Sequence, residues 1–148
     1  MQSIQDLFFE SRGQPVSYNG KTIQMVDKVQ IQKVHNMELT FESVNSKWVQ
    51  GVYLSTNGKF TVNEKAFDIS IVLWENSAPK TVPIMVESKD GILSVKNVWD
   101  VGDGVMESWH NGAAMIVERE EGLIRYLCND GQPDDDFDDL IFSISLDD

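Results

Sequence analysis

The chain has 148 residues and a formal net charge of −12, from 24 acidic and 12 basic side chains. That length predicts one domain over residues 1–148, and 41% hydrophobic residues supply it with a core. The basic residues are scattered, which excludes nucleic acid and an anionic membrane as partners, and no apolar run is long enough for membrane insertion.

Residues 3–9 pattern as a short helix, with Ser3 and Asp6 as a capping box and Ile4, Leu7 and Phe8 on one face; an edge strand is the alternative. From there the chain reads as strands. Short segments are expected at 15–18, 21–26 and 28–34, then Met37–Glu42, where Met37, Leu39 and Phe41 alternate onto one face. Strands at 47–54 and 59–62 follow, separated by Asn57-Gly58. Phe67–Trp74 then sends Phe67, Ile69, Ile71 and Leu73 one way. In Thr81–Val86 the residues Val82, Ile84 and Val86 face inward, and Pro83 marks an edge or a bulge. The remaining strands fall at 92–98, 105–109, 113–119, 123–128 and 140–146.

Six of the ten glycines follow Asn or Asp, the pairing that supplies positive φ to two-residue hairpin turns. About ten short strands with turns at this spacing predict an all-β fold, an antiparallel β-sandwich or jelly roll. The single cysteine, Cys128, excludes an internal disulfide framework and a cysteine zinc cage, and reads as a small buried hydrophobe. Trp48 and Trp74 are assigned to the core or to inter-sheet packing, and His35 to a turn. The first residues lack the basic and apolar regions of a secretory signal. The expectation is a cytoplasmic protein, one exported without a cleaved signal, or one already trimmed.

The acidity is local. Residues 129–148 hold eight Asp and no basic residue, leaving −4 for the first 128 residues. Six of those carboxylates fall within residues 130–139. Two like charges about 5 Å apart repel by about 0.8 kcal/mol even in water. The strand at 140–146 faces Leu140, Phe142, Ile144 and Leu146 one way. Continued backwards, it would point Asp136 and Asp138 at the core and Phe137 at solvent. A turn or bulge between Phe137 and Leu140 is therefore expected, with Phe137 anchored among apolar groups and the acids of Asp134, Asp136 and Asp139 converging. Ca²⁺, which takes six to eight oxygen ligands, suits such a cluster. The spacing is not that of an EF-hand: counted from Asp134, Asp139 stands at the glycine position and Ser145 at the final glutamate.

The segment Asp134-Asp135-Asp136-Phe137-Asp138-Asp139-Leu140-Ile141, after Asp130-Gly131, resembles a motif that closes many bacterial extracellular β-sandwich domains. Its form is Asp-x-Asp-Phe/Tyr-Asn/Asp-Asp-Leu-Val/Ile, and the similarity covers about 18 residues. Asp138 stands where Asn is commoner. The resemblance implies calcium binding by the acidic residues in a carbohydrate-binding or adhesive module. The plain alternative is a solvated acidic run.

A second cluster, Asn97–Gly112, places Asp100, Asp103 and Glu107 beside Trp99, Trp109, His110 and Asn111. Asp100 and Asp103 are candidates to complete a cation site with Asp130, if the two loops share one end of the fold. Trp99, Trp109, His110 and Asn111 are candidates to contact a sugar or a protein. The other reading makes this a hairpin with ordinary turn acids and core tryptophans. Catalysis is not expected: Ser108 and His110 share a strand face with no acid placed to orient the histidine, and no phosphate cradle is present.

The leading expectation is a non-enzymatic, calcium-binding, lectin-like module. Its metal residues would be Asp134, Asp136 and Asp139, extended by Asp130, Asp100 and Asp103. The alternative is a cytosolic acidic protein of immunity or inhibitor type that docks a basic protein partner, steered by its local charge. A jelly-roll assembly subunit is a third reading, carried only by the number of strands.

Overall fold

A computed structural model describes residues 4–18, 20–108, 113–130 and 136–146. Helix α1 (Ile4–Ser11) buries Ile4 and Phe8, and ends where Arg12 and Gly13 take left-handed φ of 58° and 81°. Ser3, the expected cap, lies outside the described residues. Ten strands follow: β1 (Val16–Tyr18), β2 (Lys21–Ile23), β3 (Asp27–Gln30), β4 (Val34–Val44), β5 (Val49–Val62), β6 (Lys65–Trp74), β7 (Thr81–Asp100), β8 (Ala114–Glu120), β9 (Leu123–Asn129) and β10 (Leu140–Leu146).

The fold is all-β with antiparallel pairing throughout, consistent with a sandwich. β1 and β2 form a hairpin. The other eight strands form one sheet in the order β6-β5-β7-β4-β10-β9-β8, with β3 added to β7. Gln24 and Met115 exchange two main-chain hydrogen bonds of 2.9 and 2.8 Å, so the β8 end of the sheet comes round to the segment leading into β3. The enclosed core draws Leu39 from β4, Leu54 and Phe60 from β5, Val86 and Val95 from β7, and Tyr126 and Phe142 from β9 and β10. A carboxylate spans this closure. Asp27 on β3 accepts a 2.7 Å hydrogen bond from the Tyr126 hydroxyl and is clasped by both terminal nitrogens of Arg119 on β8.

Several expected turns prove to be bends within long strands. Residues 49–62 run as one strand through Asn57-Gly58: Gly58 pairs with Ser88 of β7, while pairing with β6 is interrupted between Ser55 and Lys59. Gly58 is needed for close approach: a Cβ at this position would collide with the Glu87 carbonyl. Residues 81–100 are likewise one strand, bent at Gly91 with φ 71°. Asp90 Oδ1 holds that bend, accepting from Ser88 Oγ and Ile92 N. The true β5–β6 turn is Asn63-Glu64, both left-handed at 56° and 68°. Pro83 pairs with Glu38 but lies beyond Thr61–Met85, where pairing with β5 stops, so its missing N–H is tolerated.

The expected inward face of β6 is corrected. Ile69 adopts φ 73° beside a register shift, leaving it 63% exposed and Phe67 42% exposed, with only Ile71 of the four buried. Residues 105–109 form no strand among the described residues. Only Glu107 bridges back, to Trp99. His35 belongs to β4, buried, with Nδ1 accepting the Gln32 N–H at 3.1 Å, so it is not a turn residue. Cys128 is buried as expected.

A second apolar cluster lies outside the first. Ile4 and Phe8 of α1 pack with Ile23 of β2, Ala114 of β8 and Phe137. Among the described residues no helix is long and apolar enough to cross a membrane.

Candidate functional site

Strand pairing decides where the loops emerge. Leu140, which opens β10, pairs with Val44 at the end of β4. Val49, which opens β5, pairs with Asp100 at the end of β7. The Asn97 side-chain amide on β7 donates to the Asn129 carbonyl at the end of β9 (2.8 Å). The connections 45–48, 101–113 and 130–139 therefore leave the sheet at one end. The two acidic stretches do share an end.

The loop after β9 is closed at its base. The Asp130 N–H donates to Asp139 Oδ2 at 2.9 Å, so the end of the loop caps its beginning. Asp130 Oδ2 accepts from Ser46 Oγ (2.6 Å) and Gln50 Nε2 (3.0 Å), and the Asp139 carbonyl accepts from Asn45 N (3.1 Å). Asp130 is fully buried and Asp139 is 2% exposed. Phe137, with φ 56°, breaks the strand parity and buries its ring; its N–H donates to Asn129 Oδ1. The turn expected between Phe137 and Leu140, and the anchoring of Phe137, are both present.

Two buried oxygens in this region accept nothing among the described residues: Gln50 Oε1 and Asp138 Oδ1. The other Asp138 oxygen takes the Asn45 side-chain amide at 2.9 Å. An all-oxygen set of carboxylates and an amide carbonyl has the chemistry of a hard-cation site. Among the described residues, however, no three or more His, Cys, Asp or Glu stand close enough to hold a metal.

The expected site residues separate accordingly. Asp130 and Asp139 come together, and Asp136 is exposed. Asp134, Trp109, His110 and Asn111 lie outside the described residues. Asp100 Oδ1 is occupied as a cap for Gly102 N (2.8 Å) and Gly104 N (3.2 Å), and Asp103 Oδ1 caps Val105 N (3.0 Å). Through these oxygens the two acids hold their own bend. Trp99 is fully buried and presents no face to a ligand, so its assignment as a contact residue is corrected.

Trp48, assigned to the core or to inter-sheet packing, is partly buried and stacks over Trp99, with centroids 6.5 Å apart and planes 12° from parallel. Trp74 is also only partly buried. Ser46 links Trp48 to the acidic loop: it donates to Asp130 and accepts the Trp48 N–H at 3.2 Å. Asn45, Ser46, Trp48 and Gln50 were not singled out in the sequence as site residues. Gln50 alone carried a signal, since it shares strand parity with Val52 and Leu54 and so stands polar at an inward position.

Two surface cavities, of about 430 and 550 Å³, lie elsewhere. The first is lined by Val62, Trp74, Pro79 and Val82, the second by Lys33, Lys59, Glu87 and Lys89. Neither includes an expected site residue.

The fold and this end of it define an all-β protein with two buried carboxylates, Asp130 and Asp139, at the base of an acidic loop beside a tryptophan stack. Compared with protein families, curated proteins and solved structures, the chain matches none of them.

Proposed function

We propose that the protein is a calcium-binding recognition module that takes carbohydrate on the same end of the sandwich. The observation that carries this reading is the position of Gln50. Its amide nitrogen is spent on the fully buried Asp130 carboxylate, and its buried oxygen, with no donor among the described residues, belongs to the same amide. Asp130, Asp139 and Gln50 supply oxygen ligands of the kind Ca²⁺ prefers, with Asp134 and Asp136 on the same loop. Trp48 offers an apolar ring for the C–H face of a sugar, on a backbone tied through Ser46 to the cation loop. No catalytic group enters this reading.

The test is a calcium titration after chelation, followed by thermal unfolding and tryptophan fluorescence. At 1 mM Ca²⁺ and a dissociation constant near 0.1 mM, typical of extracellular modules, the native state gains about 1.4 kcal/mol. For a chain of this size that is a rise in Tm of about 3–6 °C. Trp48 emission should change over the same range. An absent shift, or an equal one with Mg²⁺, refutes calcium binding; a glycan array read with and without chelator then tests the sugar.

The acidic interaction protein is favoured by a different observation, the exposed Asp103 and Asp136 at this same end. That reading requires binding to a basic protein that survives chelation and weakens with salt.

A further inference from the structure

We propose that the cavity flanked by Lys33 and Lys89 binds a small acidic sugar, one bearing a phosphate or a carboxylate group. The site lies at the opposite end of β4 from the acidic loop and does not rest on the calcium reading.

Strand register assembles it. Asp68 of β6 pairs with Lys59 of β5, Lys59 with Glu87 of β7, and Glu87 with Val34 of β4, so these four residues form one row across the sheet. Side chains in such a row share a face. Beside the row Gly58 pairs with Ser88 and leaves the floor bare, since even a Cβ there would collide with the Glu87 carbonyl. Lys33 and Lys89 complete the lining of a cavity of about 550 Å³. That volume is in the usual range for a small-molecule site and is more than a bare anion fills.

The backbone beneath the two lysines is fixed. The Ser88 N–H donates to the Lys33 carbonyl and the Ile31 N–H to the Gly91 carbonyl, both at 2.8 Å, which lays residues 31–33 along the bend at 88–91. Asp90 Oδ1 is spent on that bend, accepting from Ser88 Oγ and Ile92 N. Neither lysine has an ion-pair partner among the described residues, although the chain holds 24 acidic side chains to 12 basic ones. Two like charges on neighbouring segments repel, and an anion between them removes the repulsion. The acidic loop cannot supply that anion within the chain. It rejoins the sheet at Leu140, which pairs with Val44, and Val44 stands about 30 Å along β4 from Val34. Screening acts over about 8 Å.

The remaining groups select a sugar over a bare anion. Glu87 Oε2 pairs with Lys59 Nζ at 3.2 Å, and Asp68 has no ion-pair partner among the described residues. A dianion filling the cavity would be repelled by these two carboxylates, whereas a sugar turns hydroxyl donors toward them. Val34, 55% exposed, offers apolar surface to its C–H groups.

The experiment is lysine acetylation read by peptide mass spectrometry on the full chain, in calcium-free buffer so that the other end of the molecule is silent. With 10 mM glucose 6-phosphate or glucuronate and a dissociation constant near 1 mM, acetylation of Lys33 and Lys89 should slow about tenfold. Lys21 and Lys80, exposed elsewhere, should keep their rates. Protection by either acidic sugar supports the site and identifies the head group it takes. Glucose, which lacks the charge, and inorganic sulfate, which lacks the hydroxyls, should each protect less than about twofold. In Lys33→Gln the protection of Lys89 should fall below about threefold, and in Lys89→Gln that of Lys33 likewise; both side chains are exposed, so the fold is kept. No slowing with either acidic sugar, equal slowing at Lys21 and Lys80, equal protection by sulfate or glucose, or full protection in both variants overturns the proposal. None of these results bears on calcium binding at the other end.

Discussion

Replacing Tyr126 by Phe removes one hydroxyl from the carboxylate that closes the sheet. Asp27 is 2% exposed, and its Oδ2 accepts from Tyr126 at 2.7 Å and from Arg119 Nη1 at 3.0 Å. A hydrogen bond to a charged group contributes about 1.5–3 kcal/mol. Arg119 keeps the carboxylate paired in the variant, and the substituted ring retains the stacking on Phe142 that Tyr126 makes at 4.6 Å, so the loss should fall near 1.5–2 kcal/mol. With a urea slope of about 2 kcal/mol/M, the midpoint moves down by about 0.7–1 M. Asp27→Asn should cost about 2–3 kcal/mol, less than a fully buried pair, because the Arg119 side chain is 48% exposed and can rehydrate. The double variant should lose less than the sum of the two. The pH dependence gives a second check. Burial first, then the charge of Asp27, hold the Tyr126 hydroxyl far above its ordinary pKa, against the opposing effect of Arg119. The unfolded chain ionises this group near pH 10 while the folded chain keeps its proton. The Tyr126 contribution is therefore complete below about pH 10 and falls above it by about 1.4 kcal/mol per unit. The gap between the unaltered protein and Tyr126→Phe should narrow from about pH 9 to about pH 11. A variant within about 0.5 kcal/mol of the parent at pH 7, or a gap that stays constant with pH, would refute the closure as described.

Two further changes test other parts of the fold. Ile69, at φ 73° and 63% exposed, is a β-branched residue in a left-handed conformation, so Ile69→Gly should stabilise the protein by about 1 kcal/mol in the same urea assay. Destabilisation by that substitution would mean that Ile69 packs in solution. The Cys128 thiol is pushed up by full burial and then by the charge of Asp139. Its native reaction with a thiol reagent at pH 8 should be at least about a thousandfold slower than in denaturant, as expected when opening requires most of the global stability. Rapid native labelling would show that β9 opens locally.

What the sequence made legible was whatever local pattern decides. β10 matches residues 140–146 because its alternation is clean, and the bend before it was readable because Phe137 and its neighbouring acids sat at the wrong parity for a continued strand. Long-range pairing was not legible. Asn57-Gly58 and Asp90-Gly91 look like hairpin turns, yet β5 and β7 pair along most of their lengths, from Val49–Asp100 to Thr61–Met85. The ladder shifts register between Thr56 and Gly58 and resumes on the far side, so both positions become irregularities inside long strands. The real turn, at Asn63-Glu64, falls in the gap left between the expected strands 59–62 and 67–74, but its two residues carry no turn signature because glutamate seldom accepts a left-handed conformation.

The candidate site shows the same division. The acidic loop announces itself by composition, but Asn45, Ser46 and Gln50 reach it from 80 or more residues away in sequence. Their presence changes what the acidity means. A solvated acidic run keeps its carboxylates in water, whereas here Asp130 and Asp139 are buried, and a buried carboxylate costs several kcal/mol unless hydrogen bonds or a counter-charge offset it. Ser46, Gln50 and the Asp130 N–H supply part of that offset. Evolution toward mere solubility would not place Gln50 so that one end of its amide serves Asp130 while the other end, an acceptor, is buried with no donor among the described residues. On the calcium reading proposed above, one divalent cation would take up both the carboxylates and the amide oxygen, whereas a further hydrogen-bond donor would satisfy only one of them. That difference makes metal occupancy the quantity to measure first at this end of the fold.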